Sequence, residues 1–162
     1  MQTVIIFPTG YWGALAVLAG LLLYTIFSDV RARRIPNWLN LAIAALAVLY
    51  WASQDVSYLA VFKEQLLLAG CVGLFFGLFW LRGWLGGGDL KMHIALALWL
   101  PLRPLIEMML WMSIFGVVLT VIVFIEHKWW NREGRIRAPY GVAISFAAFL
   151  ILGEPIVNRF AA

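Results

Sequence analysis

The chain has 162 residues, of which 64% are hydrophobic and only 12% charged, and its mean hydropathy is +0.92. Soluble domains carry about a quarter charged residues, so these figures exclude a water-soluble enzyme and point to an integral membrane protein. A net charge of +4 and a pI near 9.6 do not imply a nucleic-acid partner here, because the basic residues stand in connectors between apolar runs, where membrane topology accounts for them.

Crossing a bilayer takes about 20 residues per helix, which limits a chain of this length to six or seven spans. Six apolar blocks can be drawn: Thr9–Ser28, Pro36–Ala52, Tyr58–Leu81, Asp89–Leu102, Leu105–Ile125 and Ala138–Leu152. The expected fold is all-α, a six-transmembrane-helix bundle forming one membrane-embedded domain over residues 1–162, with no separate soluble domain. No basic flank precedes the first block and no small-residue cleavage pattern closes it, so it reads as a retained span. The lone thiol, Cys71, reads as a small buried hydrophobe. The fourth and sixth blocks look short. At about 1.5 Å per residue they rise only about 22 Å against a hydrocarbon core of about 30 Å, so these two either thin the bilayer locally or are shielded inside a bundle. Pro101 and Pro104 are expected to end or kink the fourth block.

With six spans the connectors alternate sides. Arg31, Arg33, Arg34, Arg82, Lys91, Lys128, Arg132, Arg135 and Arg137 fall on one side, and only Lys63, Arg103 and Arg159 on the other. The more basic side is cytoplasmic, which makes both termini periplasmic. Asp29, where the first span meets the first basic connector, and Asp89, at the start of the fourth, then share the cytoplasmic face. In a helix bundle two acids at one depth can meet across facing helices.

Gly86-Gly87-Gly88-Asp89-Leu90-Lys91 has the backbone freedom to bend sharply, admit another peptide, or deliver Asp89 as the cap of the next helix. The segment around the other acid runs Asp29-Val30-Arg31-Ala32-Arg33-Arg34-Ile35-Pro36-Asn37. Pro36 halts the connector, Asn37 reads as a cap and Trp38 as an interface anchor. Two close carboxylates cannot both ionise easily. One can act as general base on a water while the other, protonated, hydrogen-bonds a scissile carbonyl, and the titration belongs to the pair.

Asp29 with Arg34-Ile35-Pro36-Asn37, then Gly86-Gly87-Gly88-Asp89-Leu90-Lys91, then Pro139-Tyr140-Gly141-Val142-Ala143, together resemble the type IV prepilin peptidases, membrane aspartic proteases with a GxGD motif. The resemblance covers nearly the whole chain. It implies Asp29 and Asp89 as the catalytic pair, with Gly86, Gly88, Lys91, Pro36 and Asn37 as motif residues in support. It also implies a prepilin substrate cut at the cytoplasmic face of the bacterial inner membrane, and a structural role for the Pro-Tyr-Gly segment in placing the last span. The connector after the first span has no cysteines, so zinc and N-methyltransferase activity are not expected and no cofactor is implied. The short form looks like the peptidase-only branch of Flp/Tad-type pili. Besides the substrate and the lipid bilayer, a homodimer is the one further partner considered.

The rival reading is a small transporter or assembly scaffold whose acids bind a cation or relay protons, but it would call for more polar groups at mid-membrane. Presenilin-like proteases also use GxGD, without the Ile35-Pro36-Asn37 segment. His93, four residues after Asp89, lies on the same helical face and reads as a hydrogen-bonded interior histidine that could tune the acid. Glu107 lies near the far end of its span. Gly70, Gly73 and Gly77 mark a face of the third block suited to close helix packing.

Overall fold

The computed structural model describes residues 10–52, 58–129 and 138–160, and among these every regular element is helical. The order is α1 (Gly10–Ala32), α2 (Asn37–Ala52), α3 (Tyr58–Leu81), α4 (Gly87–Ala97), α5 (Leu102–Trp129) and α6 (Tyr140–Phe160). Three stretches, Gly13–Ala32, Lys63–Leu81 and Leu102–Trp129, are long and apolar enough to cross a membrane. Asn37–Ala52 and Tyr140–Gly153 are apolar but shorter. At 11 residues, α4 is the shortest helix.

The expected third block and α3 have the same limits. Elsewhere the ends move. Helix α1 runs four residues beyond Ser28, so Asp29 lies inside its last turn. The fourth block both starts and stops early: α4 begins at Gly87 and ends at Ala97, short of Pro101. Pro104, expected to interrupt, sits in the first turn of α5, where no backbone N–H is needed for the helix ladder. The sixth helix reaches 21 residues in all, while its apolar stretch, Tyr140–Gly153, is short as expected.

Between α1 and α2 the chain reverses through Arg33, whose φ of 52° is left-handed. Its N–H donates to the Asp29 carbonyl at 2.9 Å, closing a left-handed cap of the kind glycine usually supplies. Ser28 Oγ donates to Arg34 O at 2.8 Å and ties the returning strand of the turn to α1.

Helix α4 is the centre of the arrangement. It packs on α2, α3 and α6, while α1 bridges α2 and α6, and α5 lies along α6. Met92, Ala95, Leu96 and Ala97 of α4 join Leu18, Leu22, Leu39, Ile43, Leu105, Met108 and Ile144 in one buried core. The outer surface is apolar as well, with Leu74 77% exposed and Leu67, Val117 and Leu110 exposed on α3 and α5. Such a surface suits lipid, and in lipid there is little hydrophobic drive between helices. Packing and interhelical hydrogen bonds, each worth about 0.6 kcal/mol on average, have to hold the bundle.

Those bonds concentrate at the end of α4. Trp51 Nε1 donates to Leu98 O at 2.7 Å, and Trp99 Nε1 donates to Ile43 O at 2.9 Å. The buried Gln65, with its amide turned to donate, reaches Leu100 O and Ala97 O, both at 2.9 Å. Carbonyls that a helix end leaves without partners are thereby satisfied from α2 and α3.

Two packing expectations fail. Cys71 is exposed on α3, facing outward rather than into the core. Of the three glycines on that helix only Gly73 meets a neighbour, Ile94 Cδ1, at 3.3 Å from where a Cβ would stand, while Gly70 and Gly77 face open space.

Candidate active site

The two acids come to one cavity from opposite ends of their helices. Asp29 sits in the last turn of α1 and Asp89 in the first turn of α4, and both line a cavity of about 880 Å³ with Arg33, Arg34, Ile35, Pro36, Asn37, Gly86, Gly87, Gly88 and Tyr140. The Asp29 carboxylate is near enough for its charge to act on Asp89. The sequence-expected residues Gly86, Gly88, Pro36 and Asn37 therefore surround the pair. Lys91 stands outside the cavity wall.

Asp89 is not the cap of its helix. Gly86, at φ −70° and ψ 142°, takes that position, and its carbonyl accepts the Leu90 N–H at 3.0 Å. Asp89 stands three residues on and folds back so that the Gly86 N–H faces its carboxylate, the return half of a capping box. The close fold-back explains the glycine: a Cβ at 86 would stand 2.8 Å from Asp89 Oδ2. An acid in the first turn is also favoured by the helix dipole.

Asp29 is 5% exposed, although it lies at a helix C-terminus. It is received by the start of α6, where the backbone N–H groups of Gly141 and Val142 face its carboxylate and the positive charge of Arg33 stands nearby. Oδ2 has no hydrogen-bond partner among the described residues. The Pro-Tyr-Gly segment thus brings the last helix against an acid of the pair. Tyr140, which starts α6, is seated by Gly116 of α5, where a Cβ would come within 3.1 Å of its ring.

Ile35 joins the three sequence motifs. It is buried; a Cβ on Gly88 would stand 3.1 Å from Ile35 Cβ, and one on Gly141 would stand 2.8 Å from Ile35 Cδ1. The branched side chain between α1 and α2 thereby sets the separation of α4 and α6. Asn37, expected to cap α2, is its first helical residue, and its Oδ1 instead accepts Lys91 Nζ at 2.7 Å. That bond spans from α2 to the turn after Asp89 and lies in the open.

His93 is an interior residue, 1% exposed. Its Nδ1 lies 2.7 Å from the Asp89 carbonyl, its Nε2 lies 2.8 Å from Met112 Sδ on α5, and its ring stacks on Phe76 of α3 at 4.2 Å. With Nδ1 protonated it braces the backbone of Asp89. Glu107 is engaged elsewhere, in an exposed ion pair with Arg103 at 3.1 Å. The contacts of Ile35 and Gly141 had only their motif context as a sequence signal, and Asn40, which donates to the Gly88 carbonyl, had none.

Two acids, one of them deeply buried, lining one cavity with Gly86, Gly87 and Gly88 make an arrangement that can activate a water against a carbonyl. Among known families, the model described as the type IV leader peptidase family matches residues 16–121, a stretch that contains both acids and stops before Pro139. No curated protein and no solved structure matches the chain.

Proposed function

Because the chain belongs to the type IV leader peptidase family and is therefore a membrane protease of the leader-peptidase type, we propose that it removes the leader of Flp-like type IV prepilins by two-aspartate hydrolysis. In this reading it is a single-domain, six-span protein of the bacterial inner membrane, with periplasmic termini and a cytoplasmic active site. The observation that carries the proposal is the convergence of Asp29 and Asp89 on one cavity, each supported by backbone N–H groups and approached by glycine backbone.

The two carboxyl groups share one proton. The ionised member takes a proton from a water held between them as the water oxygen attacks the scissile carbonyl carbon. The protonated member hydrogen-bonds the carbonyl oxygen and gives up its proton as that oxygen becomes a hydroxyl. When the tetrahedral species collapses, the carbon–nitrogen bond breaks, the pair protonates the leaving amine, and one hydroxyl of the tetrahedral carbon returns its proton to the pair as the new carboxyl group forms, restoring the single shared proton. General acid and base assistance of this kind is worth about 10²–10⁴-fold in rate. Gly86 to Gly88, Ile35 and Pro36 line the cavity that would receive the peptide. The cytoplasmic setting agrees with the chemistry, since a leader that never crosses the membrane can be cut only there.

The decisive experiment incubates vesicle-reconstituted protein with a prepilin and follows leader removal. Asp29→Asn and Asp89→Asn should each lower the rate by on the order of 10²-fold or more. Cleavage at the wild-type rate by either variant would overturn the mechanism. Cysteines placed at positions 31–34 should be labelled from the cytoplasm, and labelling from the periplasm would overturn the orientation.

A further inference from the structure

We propose that Asn40 is a positioning residue for Asp89, acting through the Gly88 carbonyl. The proposal rests on the aspartyl-pair reading above. Asn40 is 4% exposed and lies one turn along α2 from Asn37. Its Nδ2 donates to Gly88 O at 3.1 Å, while Ile35 packs where a Cβ of Gly88 would stand. Gly88 O and the Asp89 N–H belong to the same peptide plane, so a donor fixed on Gly88 O fixes the backbone angle from which the Asp89 side chain departs. Three glycines precede Asp89, and none restrains that angle itself.

Stability alone does not account for an asparagine here. Its Oδ1 is buried without a hydrogen-bond partner among the described residues, and Leu39 and Ile43 beside it on α2 are fully buried apolar residues. A half-satisfied amide in such surroundings costs stability that an apolar side chain would not. Asn40 is not among the residues lining the cavity, so its effect on the reaction passes through the Gly88–Asp89 peptide. The functional and stability consequences of replacing it should then have opposite signs.

The test compares full-length wild type with Asn40→Leu, Asn40→Ser and Asn40→Ala in the same detergent and vesicle preparations. Asn40→Leu removes the donor and fills the space; it should match or exceed the wild-type Tm while kcat falls about tenfold or more and KM stays within about twofold. Asn40→Ser keeps a shorter donor and leaves a gap, so it should have a lower Tm than Asn40→Leu and a higher kcat. Amide hydrogen exchange over residues 86–90 should quicken in Asn40→Leu and in Asn40→Ala. If kcat simply follows Tm across the three variants, or Asn40→Leu keeps the wild-type kcat, the positioning role is wrong. Should Asn40→Leu not fold, Asn40→Ala against Asn40→Ser makes the same comparison of donor loss. If wild type itself does not cut a prepilin, the peptidase reading fails; exchange over residues 86–90 then decides the Asn40 role separately, and unchanged protection overturns it.

Discussion

Gly141 is pressed against Asp29: a Cβ at position 141 would lie 2.9 Å from Asp29 Oδ2 and 3.2 Å from its Cγ. The groups it would strike, the Asp29 carboxylate and Ile35 Cδ1, are side-chain ends that can move. Gly141→Ala is therefore expected to leave the bundle folded and to displace the acid. A displacement of about 1 Å at a reacting group can cost about 10²-fold in rate. Leader cleavage by Gly141→Ala should fall by that order with little change in Tm, and wild-type activity would show that the contact does not position Asp29.

Glycines on α3 and α4 should separate by surroundings. At Gly88 an added methyl meets the Cβ of Ile35 at 3.1 Å and its backbone oxygen at 3.3 Å, neither of which yields easily. At Gly70 and Gly77 it meets nothing within 4 Å. Gly88→Ala should lower both cleavage and Tm. Gly70→Ala and Gly77→Ala should keep wild-type cleavage and gain up to about 1 kcal/mol each from helix propensity. Thermal unfolding in one detergent, run beside the cleavage assay, checks all three.

A pair sharing one proton predicts a bell-shaped dependence of kcat/KM on pH. At low pH both carboxyls are protonated and no base remains, so the rate rises as the first proton leaves. At high pH the second proton leaves, no acid remains to assist the carbonyl, and the rate falls. The two limbs belong to the pair rather than to either aspartate. A profile that rises to a plateau with no alkaline limb would exclude the shared proton.

Arg33 holds a backbone conformation that glycine adopts freely and other residues adopt at a cost of about 1–2 kcal/mol. Arg33→Gly should consequently raise the unfolding free energy by roughly 1 kcal/mol, reduced by the greater freedom of glycine in the unfolded chain. The guanidinium also lines the cavity and its charge acts on Asp29, so activity need not follow stability. A lower Tm in Arg33→Gly would mean that side-chain contacts outweigh the strain.

The helical class and the joint position of the two acids were legible in the sequence because hydropathy and charge placement report on lipid directly. Helix α3 was legible to the residue, its apolar run broken only by Lys63, Glu64 and Gln65 one to two turns after its start. The end of α1 was not, because Asp29, Val30, Arg31 and Ala32 read as a connector by composition, while a helix can carry on into the polar layer unpunished. Pro104 misled for the opposite reason, since proline is harmless in a first turn. The contacts of Gly141 with Asp29 and of Asn40 with Gly88 join residues far apart in the chain. Hydropathy describes each residue against its solvent and carries nothing about such partners. Cys71 shows the same limit, since inward and outward faces are equally apolar when the solvent is lipid.

The shortness of α4, tied at its end to α2 and α3 by Trp51, Trp99 and Gln65, bears on what holds it in place. Eleven residues rise about 16 Å, roughly half a hydrocarbon core, and the carbonyls at its end accept bonds from α2 and α3. Alone in lipid those carbonyls would go unsatisfied, at several kcal/mol each. In apolar surroundings α4 thus depends on α2 and α3 for the partners of the carbonyls at its end. The helix that carries Asp89 is held in place by its two neighbours rather than by its own length.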